Sequence, residues 1–226
     1  MTDSMVLSLD GSTVTATTSV TLQHAIIAGW TGRDRLAVER HIEELAALGV
    51  KRPTSAPVFY RASAARVTTA DRIQVLGEQS SGEVEFVLLQ HAEQLWLGVG
   101  SDHTDRQVEA YDVGVSKQMC DKPVAAQWWA FSDVEPHWDR LLLRSYVGGE
   151  RTLYQEGSVT AMLEPLELIA RYAPGKALPD DSLMFCGTLA AMGGVRPSSQ
   201  FTFELEDPVL GRIIRHTYHV DCLPVA

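Results

Sequence analysis

The chain has 226 residues, of which 45% are hydrophobic and 21% charged, a balance that excludes a disordered protein and suits a domain with a packed core. No segment approaches the ~18 consecutive apolar residues that a membrane-spanning helix needs. The net charge of −10 would repel nucleic-acid phosphates, so we expect neither a nucleic-acid nor a membrane partner. The acidic N-terminal segment differs from a basic secretory signal, and we expect a cytoplasmic protein.

The N-terminal part of the chain predicts a hairpin followed by a helix. Apolar and polar residues alternate over 5–20 on either side of Asp10 and Gly11, which is typical of a β-hairpin. Apolar residues at helical spacing over 35–48 then predict an amphipathic helix.

The rest of the chain predicts many short strands and few helices. The predicted helices cover 104–119 and 160–172, the second with Pro165 in its first turn. The predicted strands cover 83–89, 95–100, 138–147, 151–154, 182–188, 200–207 and 212–220. This order of elements predicts an α+β fold with a curled mixed β-sheet rather than alternating βαβ units. No long linker and no repeat divides the chain, so we expect a single domain over 1–226, with an N-terminal part (1–57) and a larger part (58–226).

Two acidic residues stand at the start of a very apolar predicted strand. Glu83 and Glu85 are two residues apart, so their side chains should share one face of the strand. Val84, Phe86 and Leu88 should fill the opposite face. Adjacent like charges destabilise a sheet unless a cation or water compensates them. Taken alone, the pair also fits a solvated outer face of an edge strand, and that alternative is the more common one.

A third carboxylate follows the next predicted strand. Asp102 lies just past the strand over 95–100, from where it can return toward Glu83 and Glu85. Three carboxylates from two strands suit a hard divalent cation, Mg²⁺ or Mn²⁺. No cysteine or paired histidine lies nearby in the sequence, which argues against a structural zinc site.

The order of these motifs resembles the fumarylacetoacetate hydrolase superfamily. The motifs are the two glutamates on a strand, the segment GVGSDHTDR, a lysine about twenty residues later and a Gly-Thr pair at a strand end. The resemblance covers about 58–221, with a weaker portion over 29–50. It implies a β-roll or barrel of the fumarylacetoacetase C-terminal type, a divalent metal on Glu83, Glu85 and Asp102, and a homodimer.

The resemblance also implies the residues that contact substrate. Lys122 takes the place of the lysine that neutralises the substrate enolate, with Lys117 as a competitor for that role. Gly187 and Thr188 correspond to the Gly-Thr element, and Thr188 would donate its hydroxyl or its backbone N–H to a substrate carboxylate. Cys186 stands where the family commonly has threonine, so the substrate contacts can differ here.

A candidate acid–base pair lies on the first predicted helix. Members of the superfamily carry a His-x-x-Glu pair on a helix over the metal, and His41 and Glu44 have this spacing. The glutamate would orient the imidazole, which would then accept a proton from water. An exposed pair of polar helix residues would give the same pattern, and the sequence leaves both interpretations open.

Together these features predict a metal-dependent enzyme for a small anionic 2-oxo acid or acylpyruvate-like compound, acting through a stabilised enolate. Hydrolysis of a C–C bond is the first expectation. Hydration, decarboxylation and tautomerisation share the same enolate and stay open as alternatives. Two other classes also stay open: a catalytically silent metal- or ligand-binding member of the fold, and a structural module whose acidic strand is only a solvated face.

Overall fold

A computed structural model describes residues 4–47 and 52–225, without the side chains of His41, Glu44 and Leu45. The helices in this part of the chain are α1 (Arg35–Ala47), α2 (Arg106–Glu109), α3 (Val113–Met119), α4 (Phe131–Val134) and α5 (Pro165–Tyr172). The strands are β1 (Met5–Asp10), β2 (Thr15–Val20), β3 (His24–Gly29), β4 (Val58–Ala62), β5 (Val67–Thr68), β6 (Arg72–Leu76), β7 (Ser80–Ser81), β8 (Val84–His91), β9 (Gln94–Ser101), β10 (Thr104–Asp105), β11 (Lys122–Pro123), β12 (Gln127–Ala130), β13 (Leu142–Val147), β14 (Thr152–Ser158), β15 (Ser182–Thr188), β16 (Gln200–Asp207) and β17 (Arg212–Leu223).

Two large sheets carry most of these strands. The eight-stranded sheet has the order β2-β1-β12-β9-β8-β15-β3-β4, and the five-stranded sheet has the order β14-β13-β16-β17-β6. Both sheets mix parallel and antiparallel pairs, for example β15 with β3 (parallel) and β8 with β9 (antiparallel). The predicted α+β class with mixed sheets is confirmed. The eight-stranded sheet ends at β2 and β4 in the described chain, so the closed barrel is not found, and its curled form stays a prediction.

Strand β8 lies in the middle of the eight-stranded sheet and is buried on both faces. Val84, Phe86 and Leu88 belong to one apolar cluster, which also contains the inward side chains of the five-stranded sheet. Val87 and Leu89 belong to a second cluster on the other face. This explains the almost continuous apolar sequence of the strand, because a strand covered on both sides gains no advantage from polar residues. Glu83 therefore directly precedes, and Glu85 belongs to, a strand whose other residues from Val84 to Leu89 are apolar and buried.

The structure confirms the N-terminal hairpin and divides the predicted helix over 104–119. Thr104 and Asp105 form strand β10 against β7, and two short helices, α2 and α3, follow. The Asp105 carboxylate accepts hydrogen bonds from the first backbone N–H groups of α2, and Asp112 does the same for α3. Each aspartate caps a new helix at the point where a single long helix was predicted, because its side chain competes with the backbone for these donors.

Two other predicted elements begin later in the structure than in the prediction. Trp138 lies in a 3₁₀ segment (Glu135–Arg140) and not in the strand that follows, β13. The predicted helix over 160–172 begins only at Pro165, whose fixed backbone angle suits the first turn. Within the described residues, none of the helices combines the length and the apolar character needed to cross a membrane.

Candidate metal centre

Three carboxylates converge where β8 begins and β9 ends. The two strands are antiparallel, and Val84 pairs with Ser101, so the residues on either side of this pair are neighbours. The backbone N–H of Asp102 donates to the carbonyl of Glu83 over 3.1 Å. One carboxylate oxygen from each of Glu83, Glu85 and Asp102 lies within 4.8 Å of the others. The predicted convergence of these side chains is therefore confirmed.

Glu85 is the more buried of the two glutamates, with 3% of its surface exposed. Its Oε2 accepts a hydrogen bond of 2.6 Å from the backbone N–H of Gly187 on β15. The pairing of β8 with β15 shifts register between Phe185 and Thr188, and this bulge directs the Gly187 N–H toward the carboxylate. A solvated outer face is excluded for Glu85.

Burial changes the proton affinity of both glutamates. The pKa of Glu85 is raised well above its usual range, mainly by burial and further by the charges of Asp102 and Glu83. The pKa of Glu83 is also raised by burial, although the charges of Arg106 and Lys117 oppose the change. Carboxylates with raised pKa values in a cleft are typical of functional sites, and a cation would restore their charged form.

Asp102 has the opposite electrostatic environment. The Nζ of Lys117 lies 2.5 Å from its Oδ2, and the Nζ of Lys122 lies 2.9 Å from its Oδ1. Burial would raise the pKa of Asp102, but these two ammonium groups hold it below its usual range. Asp102 is therefore an ionised ligand candidate even without a cation, in contrast to Glu85.

The two lysines differ in their access to the site. The side chain of Lys122 is fully buried, and its Nζ also donates to the backbone carbonyl of His103 over 2.5 Å. The side chain of Lys117 is 8% exposed and lines the cavity next to the carboxylates. Lys122, the residue predicted to contact the substrate, thus contacts Asp102 without lining the cavity. Its competitor Lys117 contacts Asp102 from the cavity side.

Arg106 and Glu109 complete the charged cluster, and neither was among the predicted site residues. Arg106 contacts Glu83 at 3.2 Å and Glu109 at 2.8 Å. Glu109 also lies 3.8 Å from the Nζ of Lys117 and lines the cavity. Arg106 stands inside the segment GVGSDHTDR, so the motif offered a signal for it, whereas Glu109 lies on a short helix with no motif.

Thr188 and Gln155 form a neutral hydrogen-bonded wall. The Thr188 hydroxyl donates to the Val84 carbonyl over 2.8 Å and accepts from the Gln155 side chain over 2.8 Å. Of the two donors expected from Thr188, the hydroxyl is therefore already used, which leaves the backbone N–H as the candidate donor. Gln155 was missed because a single glutamine inside a strand has no distinguishing pattern. Its amide also donates to the Leu189 carbonyl and accepts from the Val84 N–H.

A cavity of about 480 Å³ opens above the carboxylates. Its remaining walls are mainly apolar and include Ile27, Val38, Val113, Leu189, Ala191 and Val195. Val38 belongs to α1, so this helix borders the cavity. The predicted pair His41 and Glu44 lies on the same helix, but both side chains are outside the described ones.

A substitution of Gly187 tests how far the stability of the fold depends on the backbone conformation at the bulge between β8 and β15. Its φ is +100°, and a Cβ would lie 1.8 Å from the Thr31 Oγ1. We expect Gly187→Ala to lower the free energy of unfolding by about 3 kcal/mol, through backbone strain and overpacking. Urea denaturation measures this loss. Gly148→Ala is the matched control, because Gly148 has a φ of +73° with nothing within 4 Å of its Cβ position. Equal losses in the two variants would contradict the argument.

Solved structures with this architecture carry names from fumarylacetoacetate hydrolase chemistry. A protein of Oleispira antarctica, described as a fumarylacetoacetate isomerase/hydrolase, is 19% identical and superposes with a TM-score of 0.70 over 96% of this chain and 100% of its own. A protein of Burkholderia cenocepacia, described as a fumarylpyruvate hydrolase, is 18% identical, with a TM-score of 0.66 over 97% of this chain and 96% of its own.

A third solved structure contains ligands. It is 2-keto-3-deoxy-D-arabinonate dehydratase in complex with magnesium and 2,5-dioxopentanoate, 14% identical to this chain, with a TM-score of 0.62 over 92% of this chain and 77% of its own. A comparison with curated protein sequences gives no significant match. The structural likenesses confirm the resemblance to fumarylacetoacetate hydrolase-family proteins at the level of the fold. A family model described as a protein of unknown function, DUF2848, matches residues 28–218, and the chain is a member of that family with the fumarylacetoacetate hydrolase fold.

Proposed function

We propose that the chain is a divalent-metal-dependent enzyme that hydrolyses a C–C bond in small acylpyruvate-like 2-oxo acids. The observation that carries the proposal is the group of three carboxylate oxygens within 4.8 Å of one another at a cavity of about 480 Å³. The dehydratase with the same fold, crystallised with magnesium and 2,5-dioxopentanoate, supports a cation and a 2-oxo acid as the ligands.

The donor set fits a hard cation. Glu83, Glu85 and Asp102 offer only oxygen atoms, which Mg²⁺ and Mn²⁺ prefer. With every carboxylate ionised, the cluster carries one net negative charge. It contains four acidic residues, Glu83, Glu85, Asp102 and Glu109, and three basic residues, Arg106, Lys117 and Lys122. When bound, the cation would supply Lewis-acid stabilisation of charge on the substrate oxygens.

Lys117 is the residue that we propose for neutralising the enolate. Its ammonium group lines the cavity, so it can approach a substrate oxygen while it stays paired with Asp102. Burial would lower the pKa of Lys117, but Asp102, Glu83 and Glu109 raise it above its usual range, so the amine stays protonated. Lys122, which the sequence favoured, is proposed to hold Asp102 in position from behind. A fixed cation near developing negative charge is a strong contributor to catalysis.

His41, oriented by Glu44, is the proposed base that takes a proton from water. Support comes from α1, because Val38 lines the cavity and His41 follows it by three residues, a spacing that puts both positions on one side of the helix. The hydroxide equivalent would attack the acyl carbonyl carbon, and the C–C bond would break toward the enolate of pyruvate.

A thermal-shift experiment tests the proposal. The protein, first treated with EDTA, is melted with Mg²⁺, Mn²⁺ or no metal, each with and without oxalate, a stable analogue of a 2-oxo acid enolate. At ligand concentrations about 100 times Kd, binding should stabilise the fold by about 2.7 kcal/mol, or roughly 5–10 °C for a chain of this length. Oxalate should act only when a metal is present. Absence of any metal response would refute the proposal.

A further inference from the structure

We propose that the site selects 2-oxo acids with one carboxylate and an apolar tail, and discriminates against those with a second, terminal carboxylate. The inference rests on the proposed function and adds the charge and polarity of the substrate's far end. It comes from the walls of the cavity beyond the three carboxylates.

The charge balance of the site suits one anionic group. Adding a divalent cation to the described cluster, which carries one net negative charge with its carboxylates ionised, leaves one net positive charge. A single substrate carboxylate neutralises it. A second carboxylate at the far end of the ligand, away from the cation, would add a negative charge without a cationic partner, which a protein interior disfavours strongly.

The described walls offer no unused cation for a second carboxylate. Among the described residues that line the cavity, Lys117 is the one with a cationic side chain, and its Nζ already contacts Asp102 at 2.5 Å. Thr31 and Tyr60 can donate hydrogen bonds to a ketone or hydroxyl group, but they cannot cancel a charge.

The tail would meet apolar walls and one acidic residue. Val38, Val113, Leu189 and Val195 present hydrocarbon surface to the cavity, which favours an alkyl or alkenyl tail. Glu109 also lines the cavity and would repel a terminal carboxylate. The walls therefore favour an apolar tail and oppose an anionic one.

A pair of stable ligands measures the selectivity by binding. 2-Oxopentanoate and 2-oxoglutarate have the same carbon chain and differ only in a terminal methyl group or carboxylate. In calorimetric titrations at saturating Mg²⁺, 2-oxopentanoate should bind at least 10-fold more tightly. Equal or tighter binding of 2-oxoglutarate would overturn the inference and leave the proposed function intact. If neither compound binds in the presence of metal, both proposals fail.

A matched pair of substrates gives the same test by turnover. Crotonylpyruvate and fumarylpyruvate again differ by a methyl group or a carboxylate. Each would consume one water, break the bond between the acyl carbon and C3 of the pyruvate unit, and yield pyruvate, the corresponding carboxylate and one proton. The value of kcat/KM should be at least 10-fold higher for crotonylpyruvate. A preference for fumarylpyruvate would contradict the inference, whereas inactivity on both would refute the hydrolase proposal.

Two variants locate the source of the selectivity. Glu109→Gln should bring the two ligand affinities at least 3-fold closer, while Glu150→Gln, which removes an exposed acid outside the cavity, should leave their ratio unchanged.

Val195→Lys places a cation on a cavity residue that is 56% exposed, so it should fold and should strengthen 2-oxoglutarate binding several-fold. Val209→Lys, at a 49% exposed position away from this cavity, is its control. Unchanged ratios in both cavity variants would overturn the assignment.

Discussion

Replacing Glu85 by glutamine should abolish the metal-induced rise in melting temperature and at the same time stabilise the metal-free protein. The two effects have opposite signs because the carboxylate is needed only when a cation is present. Without one, burial and the nearby Asp102 and Glu83 make its charge unfavourable. Glutamine has the same shape and can still accept the hydrogen bond from the Gly187 N–H. Since a buried charge costs more than the about 1–3 kcal/mol of a neutral buried polar group, the metal-free melting temperature at pH 8 should rise by at least about 3 °C.

The pH dependence gives a sharper form of this prediction. The pKa of Glu85 is raised in the folded state above the ordinary value of 4.5. Between pH 4.5 and the pKa of the folded state, Glu85 holds a proton in the folded protein that the unfolded chain has released. The free energy of unfolding therefore falls as the pH rises through this range. The contribution is fully present below about pH 4.5 and is lost as the pH passes the folded-state pKa. Glu85→Gln should remove this part of the pH dependence.

Melting curves from pH 5 to pH 8.5, with and without Mg²⁺, make the measurement. The Mg²⁺-induced shift of the native protein should grow with pH, because metal and proton compete for the same oxygen atoms. Glu150→Gln, which removes an exposed carboxylate, is the control and should behave like the native protein. A variant at Glu85 that kept the full metal response would exclude this residue as a ligand.

Lys117→Met should lower kcat for acylpyruvate hydrolysis by about 10²–10³, the usual effect of removing one group that stabilises developing negative charge. Its metal-induced melting shift should persist, because the three carboxylates remain in place. Lys122→Met should instead act on stability, since Lys122 is fully buried against Asp102 and the His103 carbonyl. Removing one partner of a buried ion pair costs about 3 kcal/mol, or roughly 6–12 °C in melting temperature.

Both variants remove one partner of a buried ion pair with Asp102, so the rate rather than the stability distinguishes the roles of the two lysines. Initial rates at saturating substrate and metal give kcat, and urea denaturation gives the free energy of unfolding. Lys117→Arg serves as the conservative variant and should recover part of the rate, because it keeps the positive charge. If Lys122→Met lost the rate and kept its stability, while Lys117→Met kept its rate, the roles assigned to the two residues would be reversed.

Local patterns were sufficient to predict the acidic group. Glu83 and Glu85 are two residues apart at the start of one strand, and Asp102 follows the strand that pairs with it, so alternation and antiparallel pairing bring them together. The hairpin over 5–20 was predictable for a similar reason, since turn residues and alternation agree.

Contacts between distant segments were not predictable from such patterns. Lys117 follows Asp102 by 15 residues and Lys122 follows it by 20. The break between α2 and α3 sets the start of the short helix that carries Lys117, which lines the cavity, whereas Lys122 lies on β11. That break depends on the cap formed by Asp112, which competes with continuous helical periodicity over the same residues. Glu109 is the last residue of α2 and lies directly before this break, and no pattern in the sequence indicated its place in the charged cluster.

The hydrogen bonds of Gln155 link the two sheets at the edge of the cavity. Its carbonyl oxygen accepts from the Val84 N–H and the Ser145 hydroxyl, and its amide donates to Thr188 and Leu189. Any sliding of the five-stranded sheet over the eight-stranded sheet would therefore break hydrogen bonds beside the three carboxylates. Substitutions at the interface between the layers, distant from any ligand, should consequently alter turnover as well as folding.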